Sequence, residues 1–147
     1  MSNIAKAEDG NFIVTTGKGE HHARHVVLAL GKFGSPRKLG LKGEELRKVM
    51  YRLIEADHCV NKKILIVGGG DSAVEAAMSL ASQVGNTVTL RYRQETFSRL
   101  KDRNSQRIND FMRKGKLRVI FNSNPVEFRT DSAILEVKGV QQTIPND

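Results

Sequence analysis

The strongest structural signal in the sequence is the segment Lys62-Lys63-Ile64-Leu65-Ile66-Val67-Gly68-Gly69-Gly70-Asp71-Ser72-Ala73-Val74-Glu75-Ala76-Ala77. Four consecutive apolar residues, three of them β-branched, run into a glycine cluster and then into alanine-rich sequence with helical spacing. This order of features predicts a buried strand, a tight turn and a helix. Together they make half of a βαβ unit.

The glycine cluster matches the pattern G-x-G-x-x-A at Gly68, Gly70 and Ala73, with Gly69, Asp71 and Ser72 between them. In this pattern the first glycine allows a tight turn, and the second lets the backbone approach a pyrophosphate. The small third residue lets the helix pack closely on the strand, and the amino end of the helix offers unpaired N–H groups. The pattern therefore predicts a nucleotide-binding turn. The alternative is a tight connection that binds nothing.

Length and composition limit the class of protein. A chain of 147 residues suffices for one domain with a core, or for one domain plus part of another. No apolar run approaches the roughly 20 residues of a membrane span. The segment Met1 to Lys6 lacks the apolar core of a signal peptide, and Cys59 is the single cysteine, which excludes an intrachain disulfide. We expect a cytoplasmic protein.

Positive charge is concentrated in one part of the chain. The segment from Arg91 to Arg118 holds ten basic residues against three acidic ones, which is seven of the eight net charges. Such a segment attracts anions, although many charge runs are only solvated surface. One alternative function is therefore a basic anion-binding or nucleic-acid-binding module. Only Tyr92, Phe97 and Phe111 are interleaved with these charges, and no nucleic-acid-binding motif is present, so we do not expect nucleic acid as a partner.

The remaining sequence predicts an alternation of strands and helices. The sequence predicts two strands about a glycine turn, Asn11 to Thr16 and His21 to Leu30. The second ends in the apolar run Val26 to Gly31, which is typical of a strand buried on both faces. The glycines and proline of 31–43 predict a linker. Helices are predicted over 44–56, 72–84 and 102–114, and strands over 87–92, 116–121, 125–128, 133–137 and 141–144. His21, His22 and His25 point to opposite faces of their strand, so we expect no metal site.

The end of the second predicted parallel strand distinguishes the possible cofactors. An acidic residue about 20 residues after the glycines binds the ribose 2′-OH of NAD, whereas arginine accommodates the 2′-phosphate of NADP. Here the position is basic, with Arg91, Arg93, Arg99 and Lys101. Guanidinium groups suit a phosphate dianion, so we favour NADP(H), with NAD(H) still possible. Tyr92, on the opposite side from its neighbours, is a candidate to pack over the adenine or to lie in the core.

Two further site residues follow the glycines. We expect Asp71 to cap the helix that begins there, and Glu75 to contact the nicotinamide ribose or amide. No residue of the sequence is assigned a catalytic role.

Four motifs resemble the thioredoxin-reductase-like flavoprotein disulfide oxidoreductases. They are the run Val26 to Gly31, the Gly43-Glu44-Glu45 linker, the glycine loop from Gly68 to Glu75, and the Tyr92-Arg93 turn with Phe97. The resemblance covers about residues 11–147. It implies an α/β protein with a Rossmann-like parallel sheet of the three-layer FAD/NAD(P)-binding type, together with an antiparallel β-meander.

The resemblance also implies a domain organisation. Residues 1–43 correspond to part of a FAD domain, with its β-meander and linker strand, and residues 44–147 to an NAD(P)H-binding domain that lacks its final strand. The FAD-binding glycine loop of the family is not found in this sequence, so FAD is expected in a full-length protein, which would be a homodimer. The activity implied is hydride transfer from NADPH to FAD and on to an external acceptor.

This sequence departs from the family pattern at two places. The positions that best match the redox-active CxxC are Tyr51 and Ile54, which excludes reduction through a protein dithiol. The family's His-Arg-Arg signature appears as Tyr92-Arg93-Gln94, so Arg93 carries over and Gln94 does not. The resemblance is therefore to the cysteine-free branch, whose acceptors are ferredoxin-like proteins or low-molecular-weight disulfides.

Overall fold

The computed structural model describes residues 2–29, 36–53 and 55–147. The chain divides into two compact units, Met1–Ser35 and Pro36–Asp147. The assignment of 1–43 to a FAD domain and of 44–147 to an NAD(P)H domain stays a prediction. The two units are described separately below.

The first unit contains one antiparallel sheet of three strands. They are β1 (Asn3–Lys6), β2 (Phe12–Thr16) and β3 (Gly19–Ala23), in the order β1-β2-β3. A tight turn at Gly17 and Lys18 joins β2 to β3, and Thr16 pairs with Gly19 across it. The predicted hairpin is confirmed, whereas β1 was not predicted, because its short sequence Asn-Ile-Ala-Lys carries one apolar β-former.

The predicted strand over His21 to Leu30 is wrong beyond Ala23. Residues 24–29 form no strand, and Val27 and Leu28 are 88% and 62% exposed. Among the described residues of this unit the apolar run pairs with no strand, whereas a strand buried on both faces needs neighbouring strands. The last part of the prediction, Leu30 and Gly31, lies outside the described residues.

The second unit is built on a parallel sheet in the order β4-β5-β6. Its strands are β4 (Lys63–Val67), β5 (Thr87–Arg91) and β6 (Arg118–Ile120), connected by the helices α1 (Asp71–Ala81) and α2 (Asp102–Arg113). Ile64 pairs with Val88, and Leu90 with Val119. Each helix follows a strand and returns the chain to the next parallel strand, as predicted from the order of apolar runs and helical spacing.

Both helices cover one face of the parallel sheet. Val74, Ala77 and Met78 of α1 and Ile108 of α2 are buried together with Leu90 of β5. The spacing of Val74, Ala77 and Met78 puts them on one face of α1, and that face packs against the sheet.

An antiparallel meander covers the other face. It comprises β7 (Ser123–Phe128), β8 (Ser132–Val137) and β9 (Val140–Pro145). Leu135 and Ile144 of the meander are buried against Ile120 of β6, with Leu65 of β4 beside them. The predicted fold class is therefore confirmed, since helices, parallel sheet and meander form three layers.

The predicted helix over 44–56 is wrong. Its described residues form turns, with short-range hydrogen bonds such as Leu46 N–H to Gly43 O (3.2 Å) and Val49 N–H to Leu46 O (2.8 Å). The carboxylate of Glu44 instead binds the backbone N–H groups of Leu39 and Gly40, both at 2.6 Å. A side chain that satisfies backbone donors outside a helix competes with helix formation. Ile54 lies outside the described residues.

Helix α1 ends three residues earlier than predicted, and Gly85 and Asn86 follow it in a turn. Gly85 has φ +72°, and a Cβ there would lie 1.9 Å from Asn61 Oδ1, so only glycine fits. The Asn86 amide donates to Cys59 O (2.6 Å) and Leu80 O (2.9 Å) and so ties the end of α1 to the segment before β4. In the described ranges, no helix is long and apolar enough to cross a membrane.

Candidate functional site

The glycine turn joins the carboxyl end of β4 to the amino end of α1. Gly68 N–H donates to Arg91 O (3.1 Å), which extends the pairing of β4 and β5 into the turn. A Cβ on Gly68 would lie 2.8 Å from Ala73 Cβ. The first and third positions of the G-x-G-x-x-A pattern therefore meet, and both must be small for the helix to pack on the turn.

Gly69 is buried under the ring of Tyr92. A Cβ on Gly69 would lie 2.1 Å from Tyr92 Cδ2, so the ring occupies the space that a side chain would need. The same ring stacks on Phe97 (centroids 5.6 Å apart), which in turn meets Phe121 edge to face at 5.0 Å. Tyr92 thus forms an aromatic wall at one side of the turn.

Gly70 faces open space. A Cβ built there would meet no atom within 4 Å, and the backbone is extended, with φ −92° and ψ 176°. The helix begins immediately afterwards, because Ala73 N–H (3.0 Å) and Val74 N–H (3.1 Å) both donate to Gly70 O. The amides of Asp71 and Ser72 precede these first helical hydrogen bonds, and Ser72 is exposed. An incoming anion can therefore approach the backbone at Gly70 and the amino end of α1.

Asp71 does not cap its own helix, and that prediction is wrong. Gly70 occupies the N-cap position, and no side chain caps α1. The Asp71 carboxylate instead accepts the Lys101 backbone N–H (3.1 Å) and the Asn104 side-chain amide (2.8 Å), both at the start of α2. The Asn104 amide, followed by the Lys101 N–H, lowers the pKa of Asp71, so this residue stays ionised.

Glu75 lies one turn further along α1 and shares the same partner. Its Oε1 accepts the Asn104 side-chain amide at 2.8 Å. Asn104 is only 4% exposed and was not among the predicted site residues. A buried asparagine in a mostly polar helix gives no signal in the sequence, because its role depends on the neighbouring helix.

Arg91 is buried between the parallel sheet and the meander. It is 7% exposed, and its Nη1 donates to Ser123 O at 2.9 Å. Its Nε is buried and has no hydrogen-bond partner in the part of the chain that the structure describes. Burial, together with the charge of Arg93, lowers the pKa of Arg91 to about 10. The guanidinium therefore remains charged at neutral pH at the carboxyl end of β5.

The other predicted basic residues are exposed. Arg93 lies two residues beyond the carboxyl end of β5, and Arg99 and Lys101 follow before α2. Since β4 and β5 are parallel, the glycine turn and Arg93 lie at the same edge of the sheet. Gln94, at the departure from the family pattern, accepts hydrogen bonds from Tyr92 Oη and Ser98 Oγ, both at 2.9 Å. Its side-chain carbonyl thus holds the aromatic wall in place.

A surface cleft of about 490 Å³ lies elsewhere, at Thr87, Met112 and Leu117. This cleft is at the amino ends of β5 and β6, opposite the glycine turn. Open α/β sheets bind their ligands at the carboxyl ends of the strands. We therefore assign the candidate site to the open edge at the glycine turn.

The glycine turn, the parallel strands and the meander define a three-layer α/β protein with a parallel sheet. Over residues 1–147 the chain matches the family described as pyridine nucleotide-disulphide oxidoreductase. It belongs to that family, as its sequence motifs indicated.

Curated proteins and solved structures similar to this chain agree with that assignment. A ferredoxin–NADP reductase of Flavobacterium psychrophilum is 34% identical over 98% of this chain and 43% of the relative. A bacillithiol disulfide reductase from Staphylococcus aureus has a TM-score of 0.79 and 30% identity, over 98% of this chain and 44% of that structure. For thioredoxin reductase from Lactococcus lactis the TM-score is 0.73 and the identity 25%, over 99% and 50%. This chain spans about half or less of each.

Proposed function

We propose that this chain is the NAD(P)H-binding portion of a flavin-dependent oxidoreductase. In the proposed reaction, hydride passes from NADPH to FAD, and electrons pass on to an external acceptor that is a low-molecular-weight disulfide or a ferredoxin-like protein. Family membership supports this reaction class, and the names of the similar proteins include acceptors of both kinds. The rest of the FAD domain, a homodimeric assembly and a cytoplasmic setting belong to the same proposal.

The open space at Gly70 is the observation that carries the proposal. The backbone there is accessible, whereas a Cβ on either neighbouring glycine would collide with Ala73 or Tyr92. A pyrophosphate bound at Gly70 would accept hydrogen bonds from amides at the start of α1 and would benefit from the positive end of the helix dipole. The residues present therefore fit a dinucleotide.

The proposed roles of the other residues follow from their exposure. Arg93, Arg99 and Lys101 offer exposed cations for the adenosine 2′-phosphate, while buried Arg91 adds charge from within the sheet edge. Tyr92 would form the apolar wall beside the adenine. Glu75 remains a candidate for the nicotinamide ribose or amide. When bound, NADPH supplies the hydride, and these residues bind and orient it.

A glycine-to-alanine substitution tests this proposal. Gly70→Ala adds a methyl group where no protein atom interferes, so the protein should fold, at a cost of about 1 kcal/mol or less for the changed N-cap. The methyl group would occupy the space proposed for the pyrophosphate. We expect NADPH affinity, measured by isothermal titration calorimetry, to fall by at least about tenfold, a loss of about 1.4 kcal/mol.

Gly17→Ala is the matched control, since a Cβ there also meets no atom within 4 Å and Gly17 lies in the other unit. It should leave NADPH affinity unchanged. If wild-type protein binds neither NADPH nor NADH, or if Gly70→Ala binds NADPH as the wild type does, the proposed site is wrong.

A further inference from the structure

Asn104 connects the two helices at the edge of the candidate site. Its Nδ2 donates to Asp71 Oδ1 and to Glu75 Oε1, each at 2.8 Å, from a position that is 4% exposed. Hydrogen bonds to charged acceptors are among the stronger ones in proteins, particularly away from solvent. The amide therefore holds two carboxylates of α1 with one nitrogen atom.

The same oxygen of Asp71 also holds the start of the basic segment. Asp71 Oδ1 accepts the Lys101 backbone N–H at 3.1 Å, and Lys101 is the N-cap residue of α2. Asn104 lies three residues later, and its own N–H donates to Lys101 O at 2.9 Å. Asn104 thus fixes Lys101 twice, once through the backbone and once through Asp71.

These contacts have an electrostatic consequence for a bound anion. Asp71 and Glu75 place two negative charges within the first five residues of the helix whose amino end would receive the pyrophosphate. Asn104 directs both carboxylates toward α2 and brings the backbone of Lys101 to Asp71. The segment from Arg99 to Lys101 is therefore held next to the glycine turn.

We propose that Asn104 is a positioning residue that fixes the Arg99–Lys101 segment beside the glycine turn and thereby sets the preference for NADPH over NADH. This inference rests on the proposed dinucleotide site. Asn104 contacts no part of the cofactor in this role. It acts through the Asp71 carboxylate and the Lys101 backbone, and the effect is felt by the 2′-phosphate, which is the one group that distinguishes the two cofactors.

Two measurements on Asn104→Leu test the proposal. In ligand-free protein, hydrogen exchange of the Lys101 amide should accelerate by about tenfold, the size of one lost charge-assisted hydrogen bond. The core amide of Val88 should exchange as before. In calorimetric titrations, the Kd for NADPH should rise by about tenfold while the Kd for NADH changes by less than about threefold. Asn109→Leu, at an exposed position of the same helix, is the control and should change neither value.

Asn104→Asp is the second variant, because it keeps the size of the side chain and removes the amide donor. It places a third carboxylate beside Asp71 and Glu75, so the preference for NADPH should fall at least as far as in Asn104→Leu. Equal losses for NADPH and NADH in a folded variant, or unchanged Lys101 exchange, would overturn the proposal. Failure of the proposed function is distinguishable, since wild-type protein would then bind neither dinucleotide whatever residue 104 is.

Discussion

Arg91 and Arg93 are separated by one residue, yet only Arg93 keeps its guanidinium exposed. Both were predicted as phosphate ligands because they are basic and follow the glycines by about 20 residues, and strand alternation was expected to place them on the same side of β5. The meander covers that side, and Ser123 O takes the Arg91 hydrogen bond (2.9 Å), whereas Arg93 lies beyond the end of the strand. The alternation could be predicted from the sequence. The meander's position over Arg91 could not, because it depends on pairings between residues distant in the chain.

Arg93→Ala tests the reading of the 2′-phosphate at the residue scale. Loss of an exposed guanidinium that binds a phosphate dianion should weaken NADPH by about tenfold and leave NADH nearly unchanged. The measurement is the ratio of the two dissociation constants. Arg118→Ala removes the same charge from the opposite, amino end of the sheet and should change neither constant. Equal losses for both cofactors in Arg93→Ala would mean that no 2′-phosphate is bound there.

At the scale of elements, the parallel strands and the helices between them were predictable, whereas the apolar run at 26–29 and the turn at 44–53 were not. Leu46, Val49 and Met50 do have helical spacing. The Glu44 carboxylate, however, binds backbone N–H groups of the preceding turn, and these hydrogen bonds compete with a helix that would begin at Glu44. The Leu41 N–H donates to the same carboxylate at 3.3 Å, and Tyr51 Oη is the fourth donor. A carboxylate that gathers three backbone donors leaves no periodic pattern in the sequence.

The Glu44 turn predicts a pH dependence of stability. The Leu39 N–H, followed by Tyr51 Oη, lowers the pKa of Glu44 from 4.5 to about 2. Because the folded pKa lies below the unfolded one, this stabilisation is complete above pH 4.5 and is lost as the pH falls toward 2. Urea unfolding should show wild-type protein to be more stable than Glu44→Gln at pH 7, with the difference shrinking below pH 4.5.

The neighbouring Glu45→Gln is the control for this turn, because Glu45 is exposed and makes none of these hydrogen bonds. It should unfold as the wild type does at each pH. A difference between wild type and Glu44→Gln that stays constant down to pH 3 would show that the carboxylate charge contributes nothing to the turn.

At the scale of the whole molecule, the centre of the α/β fold and the position of the candidate site could be predicted because one contiguous segment encodes them. Strand, glycine turn and helix follow one another between residues 62 and 77, so local pattern suffices. The contacts that complete the site join distant parts of the chain, such as Asp71 with Asn104 and Gly69 with Tyr92. Those pairings depend on how α2 packs against α1 and how β5 lies beside β4, which local sequence does not specify.

The distribution of charge over the molecule gives the last prediction. Seven of the eight net positive charges lie between residues 91 and 118, which suits either a dinucleotide or a polyanion. A polyanion that contacts five phosphates releases their counterions, so its affinity should fall roughly a hundredfold between about 50 and 200 mM salt. A dinucleotide held by one turn and a few cations should lose only a few fold in affinity.

Titrating NADPH, NADH and a single-stranded oligonucleotide at both salt concentrations separates the two functions. We expect micromolar binding of NADPH with a shallow salt dependence and little affinity for the oligonucleotide. Tight oligonucleotide binding with the steep dependence, and no dinucleotide binding, would instead identify the basic segment as a nucleic-acid-binding surface.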